Sequence, residues 1–185
     1  MTNKKTVAIV GGGDLAIKFY GTFSSKFDVS MFTHRDYNIG NPAHCSSLVD
    51  ELINFDVIVI TAGEYSEDSW SMWLTNTVGP CYITEHVNNT ASGKHIIVIT
   101  SHAASWTSWP GITDSRLVYN SSKNATTTFL LGLAHQGNTN KISIIEPAQF
   151  QSKMSNYQGM DIGLVVDQID AVIENPGNIV QVILK

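Results

Sequence analysis

Short apolar runs rich in β-branched residues alternate with amphipathic segments along most of the chain. The apolar runs 6–10 and 55–60 are nearly continuous, as is typical of strands buried on both faces of a parallel sheet. The whole pattern predicts strands at residues 6–10, 28–33, 55–60, 96–101, 144–148 and 179–184, and helices at 17–24, 43–54, 66–87, 119–134 and 164–174. This alternation predicts an α/β fold, a doubly wound parallel β-sheet with helices on both faces.

The composition is that of a folded protein, with 43% hydrophobic and 15% charged residues among 185. A chain of this length can bury a substantial core, so we predict a single domain over residues 1–185. The net charge of −5 offers no basic surface for nucleic acid. The two cysteines are far apart and the histidines are scattered, which indicates neither a disulfide framework nor a metal site.

The sequence shows no targeting or membrane-spanning pattern. It enters a predicted strand directly after Lys5, and no apolar run approaches the roughly 18 residues that a membrane helix requires. We therefore expect a soluble, cytoplasmic protein that does not bind membranes.

A glycine-rich turn follows the first predicted strand. Gly11-x-Gly13-x-x-Ala16, with Asp14 and Leu15 inside it, leads into the first predicted helix. The first glycine allows a tight turn, the second lets a pyrophosphate approach the backbone, and the small third residue allows close helix–strand packing. The helix N-terminus favours the phosphate charge. The turn predicts a Rossmann-type dinucleotide-binding unit, with a plain tight turn as the alternative.

The end of the second predicted strand indicates which dinucleotide is bound. His34 and Arg35 stand about 20 residues beyond the glycines, where an acidic residue usually binds a free ribose hydroxyl. An arginine there suits a 2′-phosphate, because its guanidinium pairs with phosphate oxygens. Asp36 could serve as the acid if the strand ends later. The pattern favours NADP(H) over NAD(H).

Tyr119 and Lys123 have a spacing that suits proton transfer. Their i, i+4 separation places the phenol and the ammonium on one face of a helix. A nearby positive charge lowers the pKa of a tyrosine by stabilising the phenolate. Such a tyrosine can exchange a proton with a substrate oxygen near neutral pH. The pair predicts an acid/base site, with an ordinary aromatic–lysine pair on an exposed helix as the alternative.

Five further motifs follow the glycine-rich turn in a definite order. They are Thr61-Ala62-Gly63, LTNTVGP at 74–80, IIVITS at 96–101, Tyr119-x-x-x-Lys123 and IIEPA at 144–148. In content and order they resemble the motifs of the short-chain dehydrogenase/reductase family, and the resemblance spans nearly the whole chain. It implies an NAD(P)-dependent oxidoreductase that interconverts a small carbonyl compound and its alcohol by hydride transfer.

The resemblance also implies roles for individual residues. Tyr119 would be the general acid/base, and Lys123 would lower its pKa and hold the nicotinamide ribose. Ser101 would hydrogen-bond the reacting oxygen. Asn76 would hold a water that links Lys123 to solvent as a proton relay. The residues that match the family's cofactor-binding positions are Gly11, Gly13, Asp14, Leu15, Ala16, His34, Arg35, Asn38, Ile39, Thr61, Ala62, Gly63, Thr100, Tyr119, Lys123, Pro147, Ala148 and Phe150.

The stretch between Ser101 and Tyr119 departs from the family. Ser101 lies further from Tyr119 than is usual, and the extra residues fall within 105–111. A longer loop need not move the end of the strand. Tyr119, Lys123, Ser101 and Asn76 form the catalytic tetrad that the resemblance implies. The alternatives for its serine are Ser105 and Ser108. The loop tryptophans, Trp106 and Trp109, either wall a substrate pocket or cover the core.

Two other regions are shorter than in the family. Asn38-Ile39 matches the positions that meet the adenine, which leaves almost no chain after Arg35 for the usual second crossover helix. We therefore predict that one peripheral strand–helix unit is missing. Near the C-terminus, the polar segment 149–160 replaces the usual helical lid, and Ala148 replaces a glycine. We expect a site that is open on one side.

The sequence also fits two alternatives to an active reductase. The short lid and the unusual serine spacing also fit an NAD(P)-binding regulator that has lost turnover. Epimerase or dehydratase chemistry on nucleotide sugars is less favoured, because those relatives have a much larger C-terminal substrate region.

The predicted helices 66–87 and 119–134 carry more apolar residues than one core-facing stripe needs. Family members pair the corresponding helices across a two-fold axis, so the resemblance implies a homodimer or homotetramer. The alternative is that these side chains only cover the sheet. They are Trp70, Trp73, Phe129, Leu130 and Leu133.

Overall fold

The computed structural model describes residues 4–105, 113–136, 139–175 and 181–185, and within them six parallel strands form one sheet. Neighbouring strands lie in the order β2-β1-β3-β4-β5-β6, and every pairing is parallel. The predicted doubly wound parallel sheet is confirmed. The strands are β1 (Thr6–Val10), β2 (Asp28–Phe32), β3 (Val57–Ile60), β4 (His95–Ile99), β5 (Lys141–Pro147) and β6 (Gln181–Leu184).

Helices connect the strands and cover both faces of the sheet. A π-helical segment, Leu74–Val78, joins the third helix to the fourth. None of the described helices is both long and apolar enough to cross a membrane. The helices are α1 (Asp14–Phe23), α2 (Pro42–Leu52), α3 (Ser69–Trp73), α4 (Gly79–Thr90), α5 (Asp114–Ala134) and α6 (Ile162–Glu174).

Side chains of the central strands alternate between two hydrophobic cores. Val59 and Ile97 pack with α1 and α6 on one face of the sheet. Ile58 and Ile96 pack with α2, α4 and α5 on the other face. All four side chains are fully buried, and burying one such side chain stabilises the fold by about 1.5–3 kcal/mol. The near-continuous apolar runs therefore reflect strands that are covered on both sides.

Side-chain caps shift several helix starts from the predicted positions. Helix α5 begins at Asp114, before the predicted residue 119, because the Thr113 hydroxyl accepts the backbone N–H of Arg116 at 3.3 Å. Helix α3 begins after Asp68, whose carboxylate accepts two first-turn N–H groups at 3.0 Å each. The Thr113 cap lengthens the helix that carries Tyr119 by more than a turn, whereas α3 begins three residues after the predicted start at 66.

The region after β2 is short, as the sequence predicted. In the described part of the chain no strand lies outside β2, so β2 forms the sheet edge. The turn that leads to α2 packs against the start of α4, where a Cβ on Gly79 would collide with the backbone carbonyl of Ile39. This close contact holds the short connection against the body of the protein.

Candidate functional site

A cleft of about 1660 Å³ runs along the carboxyl ends of β1, β2, β4 and β5. Of the residues predicted to bind cofactor or substrate, all except Ala16 and Asn76 line it. Ala16 is fully buried, in keeping with the close helix–strand packing predicted for a small residue, and Asn76 is fully buried as well. The topology therefore brings the predicted site residues together at one edge of the sheet.

The glycine-rich turn leaves the cleft open beside the N-terminus of α1. Gly11 adopts φ +138°, and a Cβ there would collide with the Thr61 hydroxyl. A Cβ on Gly13 would meet nothing within 4 Å. Gly13 is the N-cap of α1 and supplies no side-chain cap, so first-turn N–H groups are left for another acceptor. This cradle fits a pyrophosphate.

Arg35, rather than Asp36, faces the cleft beyond β2. The Arg35 and His34 side chains are exposed and line the cleft, whereas Asp36 does not. The Asp36 carboxylate accepts the Thr33 hydroxyl at 2.8 Å and the Thr33 N–H at 3.1 Å. These hydrogen bonds, with a smaller effect from the Arg35 charge, lower the pKa of Asp36. Asp36, the acid that could favour NAD(H), is therefore hydrogen-bonded to Thr33 and does not line the cleft.

Tyr119 lies between Ser101, Tyr65 and Arg116. Ser101 lies close enough to the phenol to affect its pKa by hydrogen bonding, and the Tyr65 ring packs edge-on against the Tyr119 ring with centroids 5.5 Å apart. Burial raises the pKa of Tyr119, while the Ser101 hydrogen bond and the Arg116 charge oppose that rise. Ser101 and Arg116 therefore act to lower the pKa of Tyr119 in the structure, and the support assigned to Lys123 stays a prediction.

Lys123 extends from the helix face below Tyr119 towards Gly63. Its side chain is buried, and a Cβ on Gly63 would lie only 3.0 Å from Nζ. No carboxylate in the described residues forms a salt bridge with this ammonium. Burial lowers the pKa of Lys123 to about 8. The two side chains therefore start from one helix face, and Nζ of Lys123 ends beside Gly63.

Burial of Lys123 makes the stability of the protein depend on pH. Between pH 8 and 10.5 the unfolded chain retains a proton that the folded chain has released, because the pKa of Lys123 falls from 10.5 to about 8 on folding. Stability owed to this group therefore rises with pH across that window. Across this window we expect the change in stability to be less favourable in Lys123→Met than in the wild-type protein, as measured by denaturant unfolding of both proteins at the two ends of the window. An equal change in the two proteins would contradict the assignment.

Asn76 occupies the π-helical turn and joins two segments of the site. Its Nδ2 donates to the Glu64 carbonyl and its Oδ1 accepts the Glu64 N–H, both at 2.8 Å. Nδ2 also donates to the Ser122 hydroxyl at 3.3 Å, and the Asn76 carbonyl accepts the Thr126 hydroxyl at 2.6 Å. The amide donors are thus used in holding the loop after β3 against α5. The water relay stays a prediction.

The segment after β5 closes one side of the cleft. Pro147, Ala148 and Phe150 line it as predicted. The Lys153 N–H donates to the Asp14 carboxylate at 2.6 Å, which ties this segment to the start of α1. Asp14 is therefore a structural clamp at the glycine turn.

Several residues that the sequence offered as alternatives between β4 and α5 lie outside the part of the chain that the structure describes. Ser108, Trp106 and Trp109 lie outside the described residues, as does the side chain of Ser105. Ser101 is the serine that the described structure places against Tyr119. Among the described residues no group of three His, Cys, Asp or Glu side chains could hold a metal ion.

Arg116 and Glu64 are among the cleft residues that the sequence analysis did not single out. Arg116 lies one turn before Tyr119, a spacing that could have revealed it. Glu64 follows the turn after β3, and its carboxylate accepts hydroxyl hydrogen bonds from Ser66 at 2.6 Å and Ser71 at 2.7 Å. A third, from Thr75, spans 3.2 Å. The spacing of these polar residues along the sequence does not predict that they converge on one carboxylate.

The fold is shared with short-chain dehydrogenases of known structure. A short-chain dehydrogenase from Burkholderia cenocepacia, solved in complex with NADP, is 14% identical with a TM-score of 0.79, over 100% of this chain and 90% of that one. Serine dehydrogenase from Escherichia coli is 20% identical with a TM-score of 0.72, over 96% of each chain. The chain thus has the fold of these enzymes.

One similar structure is longer than this chain. The dTDP-4-dehydrorhamnose reductase from Bacillus anthracis, in complex with NADP, is 14% identical with a TM-score of 0.77, over 98% of this chain but 74% of that one. No family model matches the sequence, and the curated proteins yield no match either.

Proposed function

We propose that the protein is an NADP(H)-dependent oxidoreductase that interconverts a carbonyl and an alcohol. The observation that carries this proposal is that Ser101, Tyr119 and Lys123 line the same cleft as the glycine turn and Arg35. The end of β2 and the end of β4 are separated by β1 and β3. A dinucleotide spanning that distance would connect the two ends of the site.

The chain's own residues would hold the cofactor at both ends. The open position beside Gly13 and the free amides of α1 fit the pyrophosphate, and Arg35 fits the 2′-phosphate. NADP bound in the Burkholderia cenocepacia enzyme supports the same choice here. Further cofactor contacts are proposed for residues that line the cleft: Gly11, Asp14, Leu15, His34, Asn38, Ile39, Thr61, Ala62, Gly63, Thr100, Pro147, Ala148 and Phe150.

Tyr119 would exchange the proton at the reacting oxygen. NADP(H), when bound, would supply or accept the hydride. Reduction of a carbonyl builds negative charge on oxygen, and the raised pKa of Tyr119 keeps the phenol protonated at neutral pH, the form that can donate. The Ser101 hydroxyl lies close enough to the phenol to hydrogen-bond the same oxygen.

Lys123 and Asn76 would complete the tetrad with Tyr119 and Ser101. Nζ of Lys123 reaches the cleft beside Gly63, where it would hydrogen-bond the nicotinamide ribose. A pKa of about 8 leaves this group mostly charged at neutral pH yet able to release a proton. Asn76 holds the loop after β3 against α5, and in the proposed relay its remaining acceptor capacity would bind the water.

Nucleotide-sugar chemistry has less support. The Bacillus anthracis reductase continues beyond the region that aligns with this chain, which covers 74% of it. An enzyme with this cleft would instead bind a small substrate between Tyr119, the Tyr65 ring and the segment after β5.

A screen of NADPH and NADH oxidation over aldehydes, ketones and quinones tests the proposal. We expect at least one carbonyl compound to be reduced, with NADPH preferred. Cofactor binding should be measured in parallel by fluorescence titration. If NADPH binds and a broad panel yields no turnover, the reductase proposal fails and a cofactor-binding regulator of the same fold takes its place.

We also propose a homo-oligomer formed through α4 and α5. Phe129 on α5 is 39% exposed, and Trp70, which lies on the preceding helix α3 and also lines the cleft, is 69% exposed. Leu130 and Leu133 do not contribute, because both are buried in the core, so for them the alternative of covering the sheet holds. Light scattering at micromolar concentration should give at least twice the chain mass of 20.2 kDa. A monomeric mass would refute this proposal.

A further inference from the structure

Arg116 forms a wall of the cleft together with two tyrosines. Its exposed side chain lines the cleft from α5, one turn before Tyr119. The guanidinium carbon lies 5.9 Å from the Tyr65 ring centroid, and the Tyr65 ring packs edge-on against Tyr119. A guanidinium over an aromatic face is held in place without losing its charge. We name these three residues the Arg116 wall.

The carboxylates that line the cleft are all hydrogen-bonded to other parts of the protein. Asp14 accepts the Lys153 N–H, and Asp68 caps α3. Glu64 accepts hydroxyl hydrogen bonds from Ser66, Ser71 and Thr75, as described above. These contacts spread the negative charges over neighbouring donors.

Arg116 forms no salt bridge with a carboxylate in the described residues. The loop that precedes α5, residues 105–112, contains neither Asp nor Glu. Two other cations that line the cleft have places in the proposed cofactor site, because Arg35 faces the 2′-phosphate position and Lys123 faces the ribose position. The exposed Lys153 side chain lies on the segment after β5. The Arg116 charge is therefore available beside Tyr119.

We propose that Arg116 binds a carboxylate of the substrate, so that the preferred substrates are small oxo acids and the corresponding hydroxy acids. This inference rests on the proposed function, because it places the substrate by reference to Tyr119. A planar guanidinium binds a carboxylate through two parallel hydrogen bonds. Cβ atoms at i and i+3 on a helix are about 5–6 Å apart. The carboxylate would thus lie within a few bonds of the carbonyl that Tyr119 protonates.

Binding of malonate tests this without requiring turnover. Calorimetric titration of malonate into the NADP⁺-saturated protein should show binding that Arg116→Gln weakens at least ~10-fold, the lower end for a lost charged hydrogen bond. Lys18→Gln is the matched control, because it removes one exposed positive charge outside the cleft. Equal weakening by both variants, or no malonate binding by the wild-type protein, would overturn the proposal.

Turnover of a matched pair of substrates gives the second arm. Acetoacetate and its methyl ester differ chiefly in the charge, so kcat/KM should favour acetoacetate in the wild type, and Arg116→Gln should abolish most of that preference. Equal losses on both compounds with a shifted pH profile would mean that Arg116 only tunes Tyr119, and would overturn the proposal. Turnover of neutral ketones alone would support the proposed reductase activity but would overturn the proposed carboxylate site. Malonate binding through Arg116 without any turnover would support the site and count against the reductase.

Discussion

Tyr119→Phe should lower turnover at least ~100-fold, the lower end of what a general acid contributes. The phenol is the group that the structure places beside Ser101, in the cleft that holds the glycine turn. Its raised pKa keeps it protonated at neutral pH, so the hydroxyl that this change removes is the proposed proton donor. The phenylalanine ring would keep its edge-on contact with Tyr65. Folding and NADPH binding should therefore be unchanged.

The measurement is steady-state NADPH oxidation with a substrate from the carbonyl screen, beside thermal unfolding and a cofactor titration of the same samples. Tyr20→Phe serves as the matched control, because Tyr20 is exposed on α1 and does not line the cleft. It should behave as the wild type in all three assays. Near-wild-type turnover by Tyr119→Phe would show that another group donates the proton.

Arg35→Ala should weaken NADPH binding by about 1.5–3 kcal/mol, the range for a hydrogen bond to a charged group. Arg35 is exposed at the end of β2 and lines the cleft, whereas the Asp36 carboxylate is held by Thr33. NADH lacks the 2′-phosphate, so its affinity should change little. The ratio of the two dissociation constants isolates the phosphate contact from any general loss of structure.

Fluorescence titration of both cofactors into both proteins provides that ratio. Equal losses for NADPH and NADH in the variant would mean that Arg35 supports the cleft without reading the phosphate. A preference of the wild type for NADH would also contradict the assignment, and would point to His34 or the backbone at the end of β2 as the ribose contact.

The periodicity of the sequence was enough to predict the sheet and its helices. An apolar run such as 55–60 is informative because a strand buried on both faces leaves no polar position, and few other local structures impose that pattern. The glycine turn was equally informative, since the positive φ of Gly11 and the close approach of Thr61 leave room only for glycine. These constraints act on single residues and on short segments, so they can be predicted from the sequence.

What the side chains of the site contact was decided by the tertiary structure. Lys123 shares a helix face with Tyr119, yet its ammonium extends towards Gly63, and Arg116 supplies the charge beside the phenol. Asp36 looked available for a ribose until its carboxylate was found on Thr33. Helical spacing fixes where a side chain starts, whereas its partner depends on which loops reach the same sheet edge.

Asn76 shows the same division between local pattern and long-range contact. Its place in a helix near the site followed from the LTNTVGP motif, but its hydrogen bonds join Glu64 and Ser122, which are distant in sequence. The sequence by itself determined the strands, the helices and the glycine cradle, because these depend on burial and backbone conformation within one segment. Only the tertiary structure decided which polar groups meet, because hydrogen bonds and charges act over a few ångströms between segments that the fold alone brings together.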